Sequence, residues 1–268
     1  MMSETKKRLL SVIVPAYKQE KTIKKDLQQI EGVLKQIRYD YEIICVVDGR
    51  ADKTFENAKK VKSRKIKVVG YEKNRGKGYA VRYGMVRAKG DPVAFIDAGM
   101  EIDPNGLSML LEHFEWYDAD IIVGSKRHPV SQVNYPWQRR VLSVGYQLLV
   151  KILFGLNVRD TQVGMKFFRR KVLEDVMPRL LVKTYAIDIE MLAVANRLGY
   201  KRLYEAPIRL EWKQEKSIVS KSLWRTLYSM LWDTAAVFYR LKILRYYDDD
   251  KKRKWRYDPD LNFKVNIG

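Results

Sequence analysis

The feature that most constrains this chain is a rhythm. Across its first half, short apolar runs alternate with stretches whose apolar residues recur every three or four positions. Leu9 to Val14 is an apolar run that ends at Pro15 and reads as a strand. Ile23, Leu27, Ile30, Leu34 and Ile37 follow at helical spacing and mark an amphipathic helix. Ile43 to Val47 is apolar without alternation, as a parallel strand buried on both faces requires. The pattern continues with a helix around Thr54 to Val61, a strand at Ile66 to Val69 and a helix at Gly78 to Ala88. A strand at Val93 to Ile96, a helix at Pro104 to Tyr117 and a strand at Ile121 to Val123 complete it. Such alternation predicts an α/β fold, a mostly parallel sheet covered by helices. Ligands of these sheets bind outside the carboxyl ends of the strands. The segments to read are therefore Pro15 to Glu20, Asp48 to Asp52, Asp97 to Asp103, and Gly124 to Arg127. The first three carry acids and the fourth is basic, which suits a site for a metal ion and a phosphate.

The second half has a different character. Val141 to Val158 is nearly all apolar, with Lys151 its only charge, and Arg139 and Arg140 lead into it. Ser143, Gln147 and Lys151 form one narrow polar stripe. A spanning helix needs about 20 apolar residues, and this stretch is interrupted by Gly145, Gly155 and Asn157. A helix over about 137–156 either lies in the plane of a membrane surface or packs as an ordinary core helix. A second stripe runs through Leu223, Leu227, Met230, Thr234, Val237, Leu241 and Leu244, widened by Trp224, Tyr228, Leu231, Trp232 and Phe238. Tryptophan and tyrosine settle at membrane interfaces. With the basic ends Lys221, Arg225, Lys242 and Arg245, they favour a membrane surface over packing back on the domain. Lys251 to Arg256 is a basic cluster suited to anionic headgroups or a solvated tail. The expected division is a catalytic domain over 1–215 and an amphipathic helix with a basic tail over 216–268.

The formal net charge of +20 implies either an anionic partner or a solvated basic surface kept for solubility. No nucleic-acid-binding motif accompanies it, so phosphorylated substrates and an anionic membrane surface are expected and nucleic acid is not. Cys45 is the single cysteine, which excludes a disulfide framework and suits a reducing, cytoplasmic setting. Met1 to Arg8 is polar and basic and gives no sign of a signal peptide.

Three short motifs carry chemistry. Asp48 ends a strand, where its carboxylate either accepts a hydrogen bond from a nucleotide base or caps a helix. Asp97 and Glu101 are four residues apart just past another strand. Mg2+ and Mn2+ take oxygen ligands, and magnesium often takes one or two carboxylates plus substrate phosphates. Such an ion would neutralise a departing diphosphate. Asn74-Arg75-Gly76-Lys77-Gly78 precedes a helix, so its glycines, free N–H groups and Lys77 suit a diphosphate. It lacks the spacing of a Walker loop.

Together these pieces resemble the family-2 inverting glycosyltransferases of GT-A fold. Within them the chain is similar to the polyprenyl-phosphate hexose synthases, those that make dolichyl-phosphate mannose and glucose. The resemblance runs from about Leu10 to about Trp212. It rests on Val12 to Tyr17, on Asp48 with Asp52 and Thr54, on Asn74 to Gly78, on Ile96-Asp97-Ala98 and on Gly124-Ser125. The most telling segment is Arg159-Asp160-Thr161-Gln162-Val163-Gly164-Met165-Lys166-Phe167-Phe168. The resemblance implies that Pro15, Tyr17, Gln19, Val46 and Asp48 hold the nucleotide. It places Lys77, Asp97 and Ala98 at the diphosphate, and Mg2+ or Mn2+ at Asp97 and Glu101. Lys126, Arg127, Arg139, Ser143 and Gln162 would meet the acceptor phosphate. Asp97, Arg139 and Asp160 would be catalytic, with Asp160 to Gly164 a mobile loop over the site. It also implies a peripheral or monotopic location on the cytoplasmic face of a membrane, without a spanning helix.

The chain departs from the family pattern in places. The usual acidic pair is Val47-Asp48, the usual Asn-Glu after Tyr17 is Lys18-Gln19, and the arginine after Gly-Ser is Lys126. The Asp-x-Asp metal motif reads Asp97-Ala98-Gly99, with Glu101 the acid left to compensate. The basic segment expected after the last strand reads Trp212 to Ser217. The expected reaction moves a hexose from UDP-glucose or GDP-mannose to a polyprenyl phosphate with inversion. Transfer to a glycan hydroxyl, which needs a base, and a silent nucleotide-sugar binder are the alternatives.

Overall fold

In the computed structural model, the structure describes residues 8–134, 137–211, 223–248, 255–259, 261 and 263–266. The strands are β1 Leu9–Ala16, β2 Asp40–Asp48, β3 Ile66–Tyr71, β4 Val93–Ile96, β5 Ile121–Ser125, β6 Gln132–Asn134, β7 Met165–Phe168, β8 Leu203–Pro207, β9 Arg209–Glu211, β10 Trp255–Asp258 and β11 Phe263–Asn266. The helices are α1 Ile23–Leu34, α2 Thr54–Lys59, α3 Lys77–Met85, α4 Gly106–Trp116, α5 Trp137–Phe154, α6 Arg170–Val176, α7 Ile187–Arg197 and α8 Leu223–Phe238. Seven strands form the main sheet in the order β3-β2-β1-β4-β7-β5-β8.

All pairs in that sheet are parallel except those of β7, which runs antiparallel to both β4 and β5. The even apolar runs follow from a core on each face. Ile13, Ile44 and Val46 pack on one side with α3, α5, α6, α7 and the end of α8. Val12, Val14, Ile43, Cys45 and Val47 pack on the other with α1, α2 and α4. A strand between two cores has no polar face to display. Cys45 lies in this interior, and burial pushes its thiol up to about 12.

One central strand escaped the sequence reading. Met165 to Phe168 sits between β4 and β5, a stretch for which no strand was expected. A charged residue within four positions defeats a hydropathy reading, and Lys166 is fully buried. Its ammonium lies 2.6 Å from both Asp188 Oδ1 and the Val163 carbonyl, which makes the burial tolerable.

Helix α5 spans nearly the expected range and ends before Gly155, whose φ of +64° suits a glycine terminator. Val150 and Phe154 enter the core, while Leu142, Val144, Leu148 and Ile152 are exposed. Of its polar stripe, Gln147 is buried and bonds the Val158 carbonyl and Thr161, whereas Lys151 at the far end is exposed. Helix α8 likewise buries Thr234 and exposes Tyr228, Leu231 and Trp232. Among the described residues no helix is long and apolar enough to cross a membrane. Trp212 to Ser217 and Lys251 to Lys254 lie outside the described residues.

Candidate active site

The site forms at the carboxyl ends of β1, β2 and β4, beside the chain entering β7. Asp97 follows β4 directly, and its N–H donates to the Gly164 carbonyl at 2.9 Å. Its Oδ2 accepts from Lys77 Nζ at 2.8 Å. Lys77 opens α3 behind Gly76, whose φ of +92° only glycine adopts readily. Burial works against the Lys77 charge, but Asp97 and Asp188 outweigh it and hold the ammonium above the ordinary lysine range. Tyr185 stands partly exposed nearby. Partial burial raises its phenol, Lys77 opposes the rise, and Asp97, Asp48 and Tyr17 add to it.

Two expected nucleotide contacts have other tasks in the structure. Asp48 is buried and its two oxygens accept four hydrogen bonds: Tyr71 Oη at 2.9 Å, Asn74 Nδ2 at 2.9 Å, Arg75 N at 2.7 Å and Gly76 N at 3.0 Å. Its carboxylate thus shapes the glycine loop in front of Lys77. Val46 is fully buried in the core, facing Gly84 of α3, because alternate residues of β2 point to that face of the sheet. Pro15 accepts at its carbonyl from the Ala98 N–H at 3.4 Å, joining the segments after β1 and β4.

Gly164 sets the position of Asp97 sterically as well. A Cβ there would lie 1.9 Å from Asp97 Oδ2 and 2.4 Å from its Cγ. Gly164→Ala is therefore expected to push the carboxylate off Lys77 and lower sugar transfer by about 10²-fold, since misplacement of about 1 Å has that cost. Steady-state transfer rates beside a thermal melt check this; a melt close to wild type with full activity would refute it.

The structure separates the expected metal pair. Asp97 turns to Lys77, while Glu101 lines a groove with Gln29, Gln36, Asp103 and Arg209. Between them, Gly99 has φ +96° and donates its N–H to buried Asp26 at 3.0 Å. Gln19, which accepts from Thr22 at 2.9 Å, stands where a side chain at 99 would point. Among the described residues no three His, Cys, Asp or Glu side chains gather to hold a metal ion. The donor set fits an ion held by Asp97 together with substrate oxygens, and not one caged by protein alone.

The acceptor-side residues do come together. Asp160 is buried and accepts from Lys126 N at 3.2 Å and Gln162 N at 3.1 Å, with Lys126 Nζ 3.4 Å away. Arg127 donates to Ser143 Oγ at 3.0 Å and to the Arg159 carbonyl at 2.5 Å. Glu205 of β8 accepts from the N–H groups of Arg159 and Asp160 at 2.7 and 3.0 Å. Asp160, Thr161 and Val163 of the expected loop over the site are buried, so this stretch packs against the body in the structure. Lys126, Arg127, His128 and Ser143 line a cavity of about 490 Å3. Among the described residues, Gln162 Nε2 is buried without a hydrogen-bond partner. Arg139 falls on the first turn of α5, and its side chain lies outside the described residues.

Sequence reasoning missed Lys166, Asp188, Glu190 and Tyr185. A signal was present: Asp188 and Glu190 interrupt the apolar run Ile187 to Ala195 two residues apart. Acids inside such a run are costly unless paired. Both prove to be buried and bonded.

Residues 11–177 match the model of the glycosyl transferase family 2. The chain is 33% identical over 221 residues to a dolichyl-phosphate beta-glucosyltransferase of Drosophila melanogaster, covering 76% of this chain and 67% of that protein. It is 30% identical over 223 residues to the Homo sapiens dolichyl-phosphate beta-glucosyltransferase, with the same coverage of 76% and 67%. Among solved structures, the fold matches glucosyl-3-phosphoglycerate synthase of Mycobacterium tuberculosis, crystallised with Mn2+, UDP and phosphoglyceric acid. That match has a TM-score of 0.64 at 19% identity, over 97% of this chain and 86% of that one. The expected GT-A fold is thereby borne out, and by its matched segment and its relatives the chain belongs to glycosyltransferase family 2.

Proposed function

We propose that this enzyme transfers glucose from UDP-glucose to a dolichyl-type polyprenyl phosphate, inverting the anomeric carbon. The observation that carries the reading is a juxtaposition. The Lys77–Asp97 pair and the basic cavity of Lys126, Arg127 and Ser143 are joined by the short stretch Asp160 to Gly164. One pocket suits an anionic leaving group and the other an anionic nucleophile. The names of the relatives support glucose and dolichyl phosphate as the two substrates.

The residues divide the work accordingly. Lys77 neutralises the diphosphate as it departs, by a charge-assisted hydrogen bond in a partly buried setting. Lys126 and Arg127 hold the acceptor phosphate so that one of its oxygens faces C1 of the sugar. That oxygen forms the new bond to C1 as the bond from C1 to the diphosphate oxygen breaks, and attack from the opposite face inverts the centre. The phosphate oxygen is already anionic, so no proton has to be removed. Asp188, the buried acid closest to Lys77, is engaged by two lysines and is not disposed to act as a base. Asp97, with substrate oxygens, would hold Mg2+ or Mn2+, which supplies positive charge against the leaving diphosphate.

The outward apolar faces of α5 and α8 suit an acceptor that lives in a lipid bilayer. Ile152 is 72% exposed and Trp232 68% exposed. Ile152→Glu with Trp232→Glu is expected to reduce vesicle binding by at least about tenfold, while glucose transfer to a short, water-soluble prenyl phosphate persists. Co-sedimentation with anionic vesicles measures the first and a soluble assay the second. Unchanged sedimentation would remove these faces from the membrane.

The reaction itself is tested with radiolabelled UDP-glucose and GDP-mannose, dolichyl phosphate in detergent, and divalent ion or chelator. Label from UDP-glucose in the lipid phase is the expected result. Nucleotide binding without labelled lipid from either donor would overturn the proposal.

A further inference from the structure

Behind the donor site lies a chain of charges that the proposed reaction leaves unused. Lys77 Nζ sits between two carboxylates, Asp97 Oδ2 at 2.8 Å and Asp188 Oδ2 at 3.6 Å. The two differ in setting. The Asp97 side chain is 40% exposed and faces the opening, whereas that of Asp188 is 2% exposed. Asp188 is itself bridged from behind by Lys166 at 2.6 Å. Lys166 is anchored to the Val163 carbonyl and lies 5.1 Å from the centre of the Phe95 ring.

This arrangement matters once a diphosphate enters. The ligand approaches from the open side, competes with Asp97 for the same ammonium and is repelled by the Asp97 charge. A flexible lysine held by Asp97 alone would have to leave its only partner and be reordered. Asp188 provides a second partner that the ligand cannot reach. Lys166, 2.6 Å from the other oxygen of Asp188, holds that partner in place, as a buried carboxylate needs. With Asp97 set aside, Lys77, Asp188 and Lys166 carry a net single positive charge toward the opening.

We propose that Asp188, braced by Lys166, is the positioning residue that keeps Lys77 aimed at the donor's diphosphate. The inference rests on the assignment of Lys77 to the nucleotide diphosphate, made above.

The decisive variant removes the brace as a pair, Lys166→Met with Asp188→Asn. Deleting both members of a buried ion pair is often tolerated, whereas deleting one leaves the other uncompensated. UDP binding, read by calorimetry without acceptor, separates positioning from packing. In the double variant UDP affinity is expected to fall by about tenfold or more and kcat with it, while Tm stays near wild type. In a Lys77→Met background, the same two substitutions are expected to change UDP affinity no further, because the effect passes through Lys77. Asp188→Asn alone, in which Lys166 retains the Val163 carbonyl, gives the same cycle should the double variant fail to fold. Wild-type UDP affinity and kcat in the folded variant would overturn the proposal, as would an equal loss in the Lys77→Met background. Wild-type protein that binds neither UDP nor GDP would overturn the donor assignment and this inference with it. Normal wild-type binding with an unaffected variant would overturn this inference alone.

Discussion

Asp97→Ala is expected to lower glucose transfer by about 10³-fold or more, the scale of losing an electrostatic group at a departing charge. The substitution removes the carboxylate that the structure places at the end of β4 and against Lys77. It also removes the oxygen that would join substrate in holding a divalent ion. The fold is expected to survive, because the side chain is partly exposed and the bond from its N–H to Gly164 is made by the backbone. Asp97→Asn sharpens the test by keeping the shape and discarding the charge. Both variants should show melts near wild type, retained UDP binding through Lys77 and little transfer. Transfer at wild-type rates in either one would move the chemistry away from β4.

Glu190→Ala is expected to have the largest effect on stability, a loss of about 3–5 kcal/mol, the usual scale for stranding the partners of a buried charge. Glu190 is fully buried on α7. Its carboxylate accepts the N–H groups of Leu181 at 3.0 Å and Val182 at 2.9 Å, and Tyr247 Oη at 2.6 Å. Arg240 approaches within 3.7 Å. Burial raises the Glu190 carboxyl above its usual range, against the lowering influence of those same bonds. Alanine would leave two N–H groups and a phenol without their acceptor, each at a desolvation cost, and would remove the counter-charge beside Arg240. A denaturant melt should show the shift, and Tyr247→Phe should show a smaller one of about 1 kcal/mol. Activity should fall too, since Val182 leads into Lys183, whose carbonyl accepts from Gly78 N at 2.9 Å. An unchanged melt for Glu190→Ala would show that the acceptor is dispensable.

Much of this architecture was legible in the residues. The strands β1 to β5 and helices α1 to α4 follow from periodicity, because each obeys a local rule that needs no knowledge of its neighbours. Lys77, Asp97, Lys126 and Arg127 could be singled out because they lie at strand ends or a helix start, whereas Ser143 was marked by the family resemblance alone. What stayed hidden depends on partners distant in the chain. Lys166 reads as a surface residue until Asp188 is set beside it, 22 positions away. Asp48 reads as a ligand contact until Tyr71 and the Asn74 to Gly76 backbone close around it. Glu101 reads as a partner of Asp97 by spacing alone. The backbone between them turns through positive φ at Gly99 and Met100, and Asp97 meets Lys77 while Glu101 lines the groove with Arg209. The two amphipathic helices show the same limit: periodicity marks the stripes, but which stripe faces inward is a property of the whole molecule.

The place of β7 in the sheet also bears on how the chain is made. Val93 of β4 waits for Phe168 of β7, and Ile121 of β5 waits for the same residue. During synthesis, two strands with apolar faces would emerge well before the strand that joins them. Until then both carry unpaired edges, a recognised invitation to pair with another chain. A ribosome-bound chain stopped near residue 160 should therefore recruit holdase chaperones more strongly than one released past residue 210, where β8 can close on β5.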